Sequence, residues 1–395
     1  MRAVVVVGAG LAGARTAHAL RAAGFDGAVT VLGAEGGAPY DRPPLSKELF
    51  TRTSPVWLAD DLGLDLTEVD LRLAEPATGL HVTPDAVEVA TAHGVHRADA
   101  AVLATGAAPV RPWPDAMVLH TAADAARLRE AVPGRRLVVV GAGWIGAEVA
   151  GVAAAAGAEV TVVEAGPAPL ATALGAAVGA LTVPWYAAAG VRLLTDSSVA
   201  SVEGGRVVLT SGEVLAADTV LAAVGVRPAT SWLRGALPLG PDGAVEVDEE
   251  LRVPGTAGRV LAVGDVAARR SRRHGRLAGG HWDGALREPE AAVASILATH
   301  GPAGPTDPAP YLWSDQLGHH LAAYGAPGAA DDVVLRGDPS GPFTAVWFGL
   351  GTDRVSAVLA VDRPRDVAAA RRLFAAPALP ELDRAAVVDP DLPLR

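Results

Sequence analysis

The chain of 395 residues contains no cysteine. That absence excludes a disulfide framework, a thiolate metal site, an iron–sulfur cluster held by the chain itself and a redox-active thiol pair. Any electron chemistry must then be carried by a bound organic cofactor, and no metal site is expected. Lysine is almost as scarce. Lys47 is the only one among 33 basic residues, the others all being arginine. Aromatic residues make up 4%, and the apolar half of the composition draws heavily on alanine and glycine, an ordinary α/β profile. Positive charge is in deficit, with a formal net charge of -11, which argues against a nucleic-acid partner. No signal peptide is expected either, since Arg2 leads straight into the apolar run Ala3 to Val7 and then Gly8, which reads as a first strand. Residues 165–191 carry no charge and are numerous enough to span a bilayer. Pro167, Pro169, Pro184 and many weakly apolar alanines instead predict a loop and a helix inside a domain, so the expected location is cytoplasmic.

The length is too great for one core and predicts two to four domains. After the first strand comes Gly8-Ala9-Gly10-Leu11-Ala12-Gly13 and an alanine-rich helix to about Ala23. In the order strand, glycines, helix, this is a dinucleotide-binding fingerprint. Gly8 makes the tight turn, Gly10 lets the backbone approach a pyrophosphate, and Gly13 lets helix and strand pack closely, with the phosphates on the helix N-terminus. A second strand, Ala28 to Leu32, ends near Glu35, placed to accept from an adenosine ribose. The grammar recurs further on. Leu137 to Val140 is a strand, Gly141-Ala142-Gly143-Trp144-Ile145-Gly146 a second glycine loop, and Ala158 to Val163 a strand ending in Glu164. An acid there accepts from a ribose 2′-hydroxyl and repels a 2′-phosphate, which predicts NADH over NADPH. Two such sites without cysteine predict electron transfer between two bound nucleotides.

Three further strands end in glycine: one at Ala104-Thr105-Gly106, one at Gly225, and one at Gly264-Asp265. The first two suit backbone contacts at a nucleotide edge. Asp265 suits acceptance from a flavin ribityl hydroxyl, or capping of the helix after it. The octet Tyr40-Asp41-Arg42-Pro43-Pro44-Leu45-Ser46-Lys47 is the other marked stretch. Two prolines predict a stiff extended lead-in, with Ser46 capping a short helix to Phe50 and Lys47 at that helix's N-terminus, a poor place for a cation unless something needs the charge.

Together the octet, the two fingerprints in this order, Ala-Thr-Gly at 104–106, Val226-Arg227-Pro228, Gly264-Asp265 and Trp313-Ser314-Asp315-Gln316 resemble the FAD-dependent NADH:ferredoxin reductases that serve Rieske oxygenases and bacterial cytochromes P450. The resemblance covers essentially the whole chain. It implies an α/β fold with two Rossmann-like domains, glutathione-reductase-like, and a small α+β C-terminal domain. The boundaries expected are 1–107 and 233–303 for an FAD-binding domain in two parts, 108–232 for an NAD-binding domain and 304–395 for the C-terminal domain. FAD then lies on the first loop and NAD on the second. Lys47 is expected beside the flavin and paired with Glu148, Arg42 and Pro44 line the approach to the ring, and Trp282 and Trp313 supply aromatics near it. Where such proteins usually carry Gln-Gly this chain has Arg287-Glu288, which puts in doubt any flavin contact from that helix.

The implied activity passes electrons from NADH through FAD, one at a time, to an iron–sulfur ferredoxin. Arg269, Arg270, Arg272, Arg273 and Arg276 cluster directly after Gly264-Asp265 and form a candidate docking patch for an acidic partner. An apoptosis-inducing-factor-like oxidoreductase, or an NADH oxidase or quinone reductase, is the alternative, and the sequence leaves monomer and homodimer open.

Overall fold

The computed structural model describes residues 1–233, 235–298 and 307–395. Two units are built from interleaved segments: Met1–Asp41, Val56–Ala108 and Arg227–Pro308 form the first, and Arg42–Pro55, Pro109–Val226 and Ala309–Arg395 the second.

In the first unit the valine run Ala3–Val7 becomes the middle of a five-stranded parallel sheet. Val260–Ala262 and Ala100–Leu103 lie on one side of it, and Ala28–Leu32 and Asp70–Arg72 on the other. Val4, Val5, Val6, Val102 and Leu261 are fully buried, as a parallel sheet covered on both faces demands of its β-branched residues. The chain turns at Gly8 into the helix Leu11–Ala22, whose inward residues Ala14, Ala17 and Leu20 are small or flexible enough for it to sit tightly on the sheet and beside the helix Trp282–Leu297. An antiparallel sheet Ala77–Val82, Val87–Thr91, Gly94–Ala98 and a mixed sheet, in which Ala267–Ser271 runs parallel to Val245–Val247 and antiparallel to Gly275–Ala278, complete this unit.

The second unit repeats the plan with Arg192–Leu194, Glu159–Val163, Arg136–Val140 and Thr219–Ala222 as a four-stranded parallel sheet, the helix Trp144–Ala155 following its glycine loop. Its C-terminal part is a five-stranded antiparallel sheet in the order Tyr311–Gln316, His319–Gly325, Val355–Val361, Phe343–Phe348, Asp332–Gly337. The helices Pro364–Leu373 and Arg384–Val388 cover Val346, Phe348 and Val358 with Ala369, Ala370, Phe374 and Val387. This is the two-sheet α/β architecture with an α+β C-terminal part that the sequence predicted.

The chain passes between the units at 108/109 and 226/227, where 107/108 and 232/233 were expected, and residues 42–55 group with the second unit. The boundary expected at 303/304 lies outside the described residues. Within the second unit the helix Trp144–Ala155 meets the strand Tyr311–Gln316 closely, because a Cβ on Gly151 would stand 2.9 Å from the Leu317 nitrogen.

The octet differs from expectation. Tyr40–Asp41 is a strand, but Pro43 is already helical at φ -52, ψ -36, and Pro44 opens the short helix Pro44–Lys47. A ring that fixes φ near the helical value and lacks only an N–H that would be unpaired anyway starts a helix as readily as it extends a chain. Ser46 is therefore inside the helix and does not cap it, and Lys47 ends the helix, where a cation is favoured. Asp265 likewise caps nothing and lies in the 3-10 turn Gly264–Val266. Residues 165–191 fold into the short helices Ala171–Leu174, Ala176–Ala180 and Val183–Ala188. Among the described residues no helix is long and apolar enough to cross a membrane.

Candidate functional site

Two glycine loops share one geometry. At the first, Gly8 has φ +114 and a Cβ on it would lie 2.1 Å from the Ala104 oxygen; on Gly13 it would lie 1.7 Å from the Gly8 oxygen. At the second, Gly141 has φ +101 with the Ala223 oxygen 2.5 Å from such a Cβ, and Gly146 would meet the Gly141 oxygen at 2.0 Å. The middle glycines differ in kind. A Cβ on Gly10 or Gly143 would meet nothing beyond its own segment within 4 Å among the described residues, so each faces open space at a helix start, with φ/ψ of -73/-172 and -76/-170. Neither helix has a side-chain cap or an acid in its first turn. Their leading N–H groups are thus left for an anion, and an uncrowded cradle on the positive end of a helix dipole fits a pyrophosphate.

An acid stands near each loop. Glu35 accepts from the Tyr40 hydroxyl at 2.7 Å. Glu164 accepts from the N–H groups of Ala142 and Gly166, both at 2.7 Å, so its carboxylate is held against the second loop with lone pairs to spare for ribose hydroxyls. Ile145, at the head of that helix, is 43% exposed, so the loop offers its backbone there. These residues could hold two dinucleotides.

In the first unit, Ala104 donates to the Val7 carbonyl at 2.7 Å, Thr105 Oγ1 to the Ala229 carbonyl at 2.9 Å, and Gly106 turns at φ +68. Asp265 Oδ1 accepts from the Gly280 N–H at 2.8 Å, and Trp282 Nε1 donates to Asp41 at 2.8 Å. The unusual pair 287–288 splits in role. Arg287 points outward to Asp283 at 2.6 Å, while Glu288 turns inward, accepts from the Gly264 N–H at 2.7 Å and meets Arg269 at 3.4 Å. Burial pushes the Glu288 carboxyl up from the usual range, against the pull of the Gly264 N–H and Arg269. Glu288 thus holds the Gly264–Asp265 turn, a contact that sequence reasoning missed.

In the second unit, Lys47 Nζ donates to Glu148 Oε1. Glu148 is buried on the helix Trp144–Ala155 and also receives Ser46 Oγ on Oε2 and Ser314 Oγ on Oε1, each at 2.5 Å. Trp313 presents its ring 5.6 Å from Lys47 Nζ. Arg42 donates to the His120 carbonyl, and Pro44 serves as the first residue of the short helix. Gly225 turns at φ +100 and accepts from Val110 at 3.0 Å. The structure brings Lys47, Glu148 and Trp313 together, and adds Ser46 and Ser314.

Folding pairs four of the five arginines at 269–276 with carboxylates. These arginines lie on and between the strands Ala267–Ser271 and Gly275–Ala278, which bring them to carboxylates remote in sequence. Arg269 and Arg273 meet Asp307 at 2.7 and 3.8 Å, Arg272 pairs with Glu249, and Arg276 with Asp242 at 2.7 Å and Glu246 at 2.8 Å. Arg270 is exposed and has no ion pair among the described residues.

The family model described as pyridine nucleotide-disulphide oxidoreductase matches residues 2–293, and one described as reductase C-terminal matches 311–395. The anthranilate 1,2-dioxygenase system ferredoxin–NAD(+) reductase component of Burkholderia cepacia is 36% identical across 99% of this chain and 98% of its own. The crystal structure of Fdr9 superposes with a TM-score of 0.88 at 42% identity, covering 100% of this chain and 99% of that one. In the covalent putidaredoxin reductase–putidaredoxin complex the matching chain gives 0.85 at 28% identity, over 94% of this chain and 93% of that one. The two glycine cradles and the lysine octet thus belong to a member of the pyridine nucleotide-disulphide oxidoreductase family, among its FAD- and NAD-dependent ferredoxin reductases.

Proposed function

We propose that this chain oxidises NADH and passes the electrons singly, through FAD, to an iron–sulfur ferredoxin that serves a Rieske oxygenase or a cytochrome P450. When bound, FAD supplies the conversion of a two-electron donation into single-electron steps, which no side chain of a cysteine-free protein can perform. The residues hold and bias the nucleotides. Gly8, Gly10 and Gly13 with Glu35, Ala104, Thr105, Gly106, Gly264, Asp265 and Trp282 carry FAD. Gly141, Gly143, Ile145 and Gly146 with Glu164 and Gly225 carry NADH, Glu164 favouring it over NADPH. Lys47 is the cation we assign to the flavin ring, with Arg42, Pro44 and Trp313 around it, and Glu148 offsets the lysine's desolvation.

The observation that carries this reading is the ion pair between Lys47 and the buried Glu148, in which the chain's single lysine meets the helix that the second glycine loop opens. Ferredoxin binding at the arginine hairpin is retained for Arg270 alone, since its four neighbours are already neutralised. A panel of [2Fe-2S] ferredoxins assayed with NADH, beside ferricyanide and oxygen, tests the reading. Fast reduction of at least one ferredoxin and slow reduction of oxygen are expected. Ferricyanide turnover with no ferredoxin outrunning oxygen would leave an NADH oxidase or quinone reductase instead.

A further inference from the structure

We propose that Ser314, oriented by Gln316, is a positioning residue that fixes the Glu148 carboxylate against Lys47, so that the C-terminal sheet sets the ion pair as directly as the octet does. The proposal rests on the reading of Lys47 given above and extends it to a group outside both glycine loops.

The donors around Glu148 leave it no freedom to turn. A carboxylate only accepts, so each hydroxyl that meets it donates, Ser314 to Oε1 and Ser46 to Oε2, the Pro43 carbonyl lying farther from Ser46 Oγ at 3.3 Å. Lys47 shares Oε1 with Ser314, and Ser46 occupies Oε2. With both oxygens pinned, the carboxylate plane is set and Oε1 is held on the ammonium. Ser314 is 1% exposed and Gln316 3%, so water does not substitute for either. Gln316 Nε2 donates to Ser314 Oγ at 3.3 Å. That bond uses the serine's acceptor side and leaves its single hydrogen directed at Glu148, a one-way chain from amide to hydroxyl to carboxylate. Trp313, the neighbouring residue on the same strand, has its ring near Lys47 Nζ. One dipeptide of the strand Tyr311–Gln316 thus touches both members of the pair, Trp313 the cation and Ser314 the anion.

The single lysine makes this testable without turnover. The FAD-loaded protein grown with 13Cε-labelled lysine gives one lysine methylene signal, from Lys47, and a side chain held in one geometry shows two separate Hε shifts. Ser314→Ala is expected to merge or displace that pair of shifts, Ser314→Thr to keep them, and Gln316→Leu to move them in the same direction but less far. In stopped flow, Ser314→Ala should slow flavin reduction by NADH about tenfold without weakening NADH binding, the loss of one hydrogen bond to a charged group. Should Ser314→Ala fold too poorly to hold FAD, the Ser314→Thr and Gln316→Leu pair decides the matter on the same signal. Lys47 shifts unchanged in Ser314→Ala, or in Gln316→Leu where that variant stands in, overturn the proposal. The Lys47→Ala variant separates this from the parent reading: if it reduces its flavin at the wild-type rate, the role assigned to Lys47 fails, whatever Ser314 does.

Discussion

Replacing Lys47 by methionine should leave a carboxylate stranded in the second unit. Lys47 and Glu148 have side chains 15% and 4% exposed, and without the ammonium Glu148 keeps only the hydroxyls of Ser46 and Ser314. Breaking a buried pair by removing one partner costs about 3–5 kcal/mol. The two remaining donors and the partial exposure of Lys47 put this case at the lower end, about 3 kcal/mol. Each kcal/mol lowers the melting temperature of a domain of this size by roughly 2–4 °C, so a fall of about 6–12 °C is expected. Replacing both residues, as Lys47→Met with Glu148→Met, should recover about 2 kcal/mol of that loss, because apolar residues of similar volume bring no charge into the interior. The assay is urea unfolding of the FAD-loaded wild type, both single variants and the double, read as a cycle. A coupling below about 0.5 kcal/mol, the range expected of independent sites, would refute the buried pair.

The glycine loops give a paired outcome. Gly146→Ala must push backbone from backbone and should lower stability, whereas Gly143→Ala should fold normally and raise the KM for NADH, with circular dichroism and steady-state kinetics as the checks. Equal melting temperatures for the two would contradict the cradle. Glu164→Gln should narrow the preference for NADH over NADPH by at least about tenfold in kcat/KM, since it removes the charge that repels a 2′-phosphate; an unchanged ratio would clear Glu164 of that role. Burial, aided by Arg273, pushes the His274 imidazole down to about 4, from an ordinary value of 6.5. The unfolded chain then binds the proton first, so this contribution is complete above pH 6.5 and drains away as pH falls toward 4. Thermal melts across that window should show His274→Gln losing less stability on acidification than wild type, and superimposable profiles would count against it.

What the sequence disclosed was local chemistry. Each glycine loop, with the strand before it and the helix after it, lies within about thirty residues, and the role of each glycine follows from steric rules that need no tertiary knowledge. The Lys47–Glu148 pair was reached only through the resemblance, because 101 positions separate the two and nothing in either segment points to the other. Ser314 escaped for the same reason: its motif was visible, but which side chain of Trp-Ser-Asp-Gln turns inward depends on the register of a strand against a helix. The pairing of the arginine cluster was not legible, because its carboxylate partners, from Asp242 to Asp307, are brought in by the fold, and linear charge density ignores that. Pro43 and Pro44 read as extended and are helical, since the φ that a proline ring imposes is shared by extended and helical backbone.

Electrons enter when NADH reduces a flavin held by this cysteine-free chain. An anaerobic titration of the purified, FAD-loaded protein with NADH, followed by the visible absorbance of the flavin, measures that step alone. Full bleaching with about one equivalent of NADH is expected, with a much weaker response to NADPH. A flavin that stays oxidised in excess NADH, or a protein that retains no FAD, would contradict that expectation.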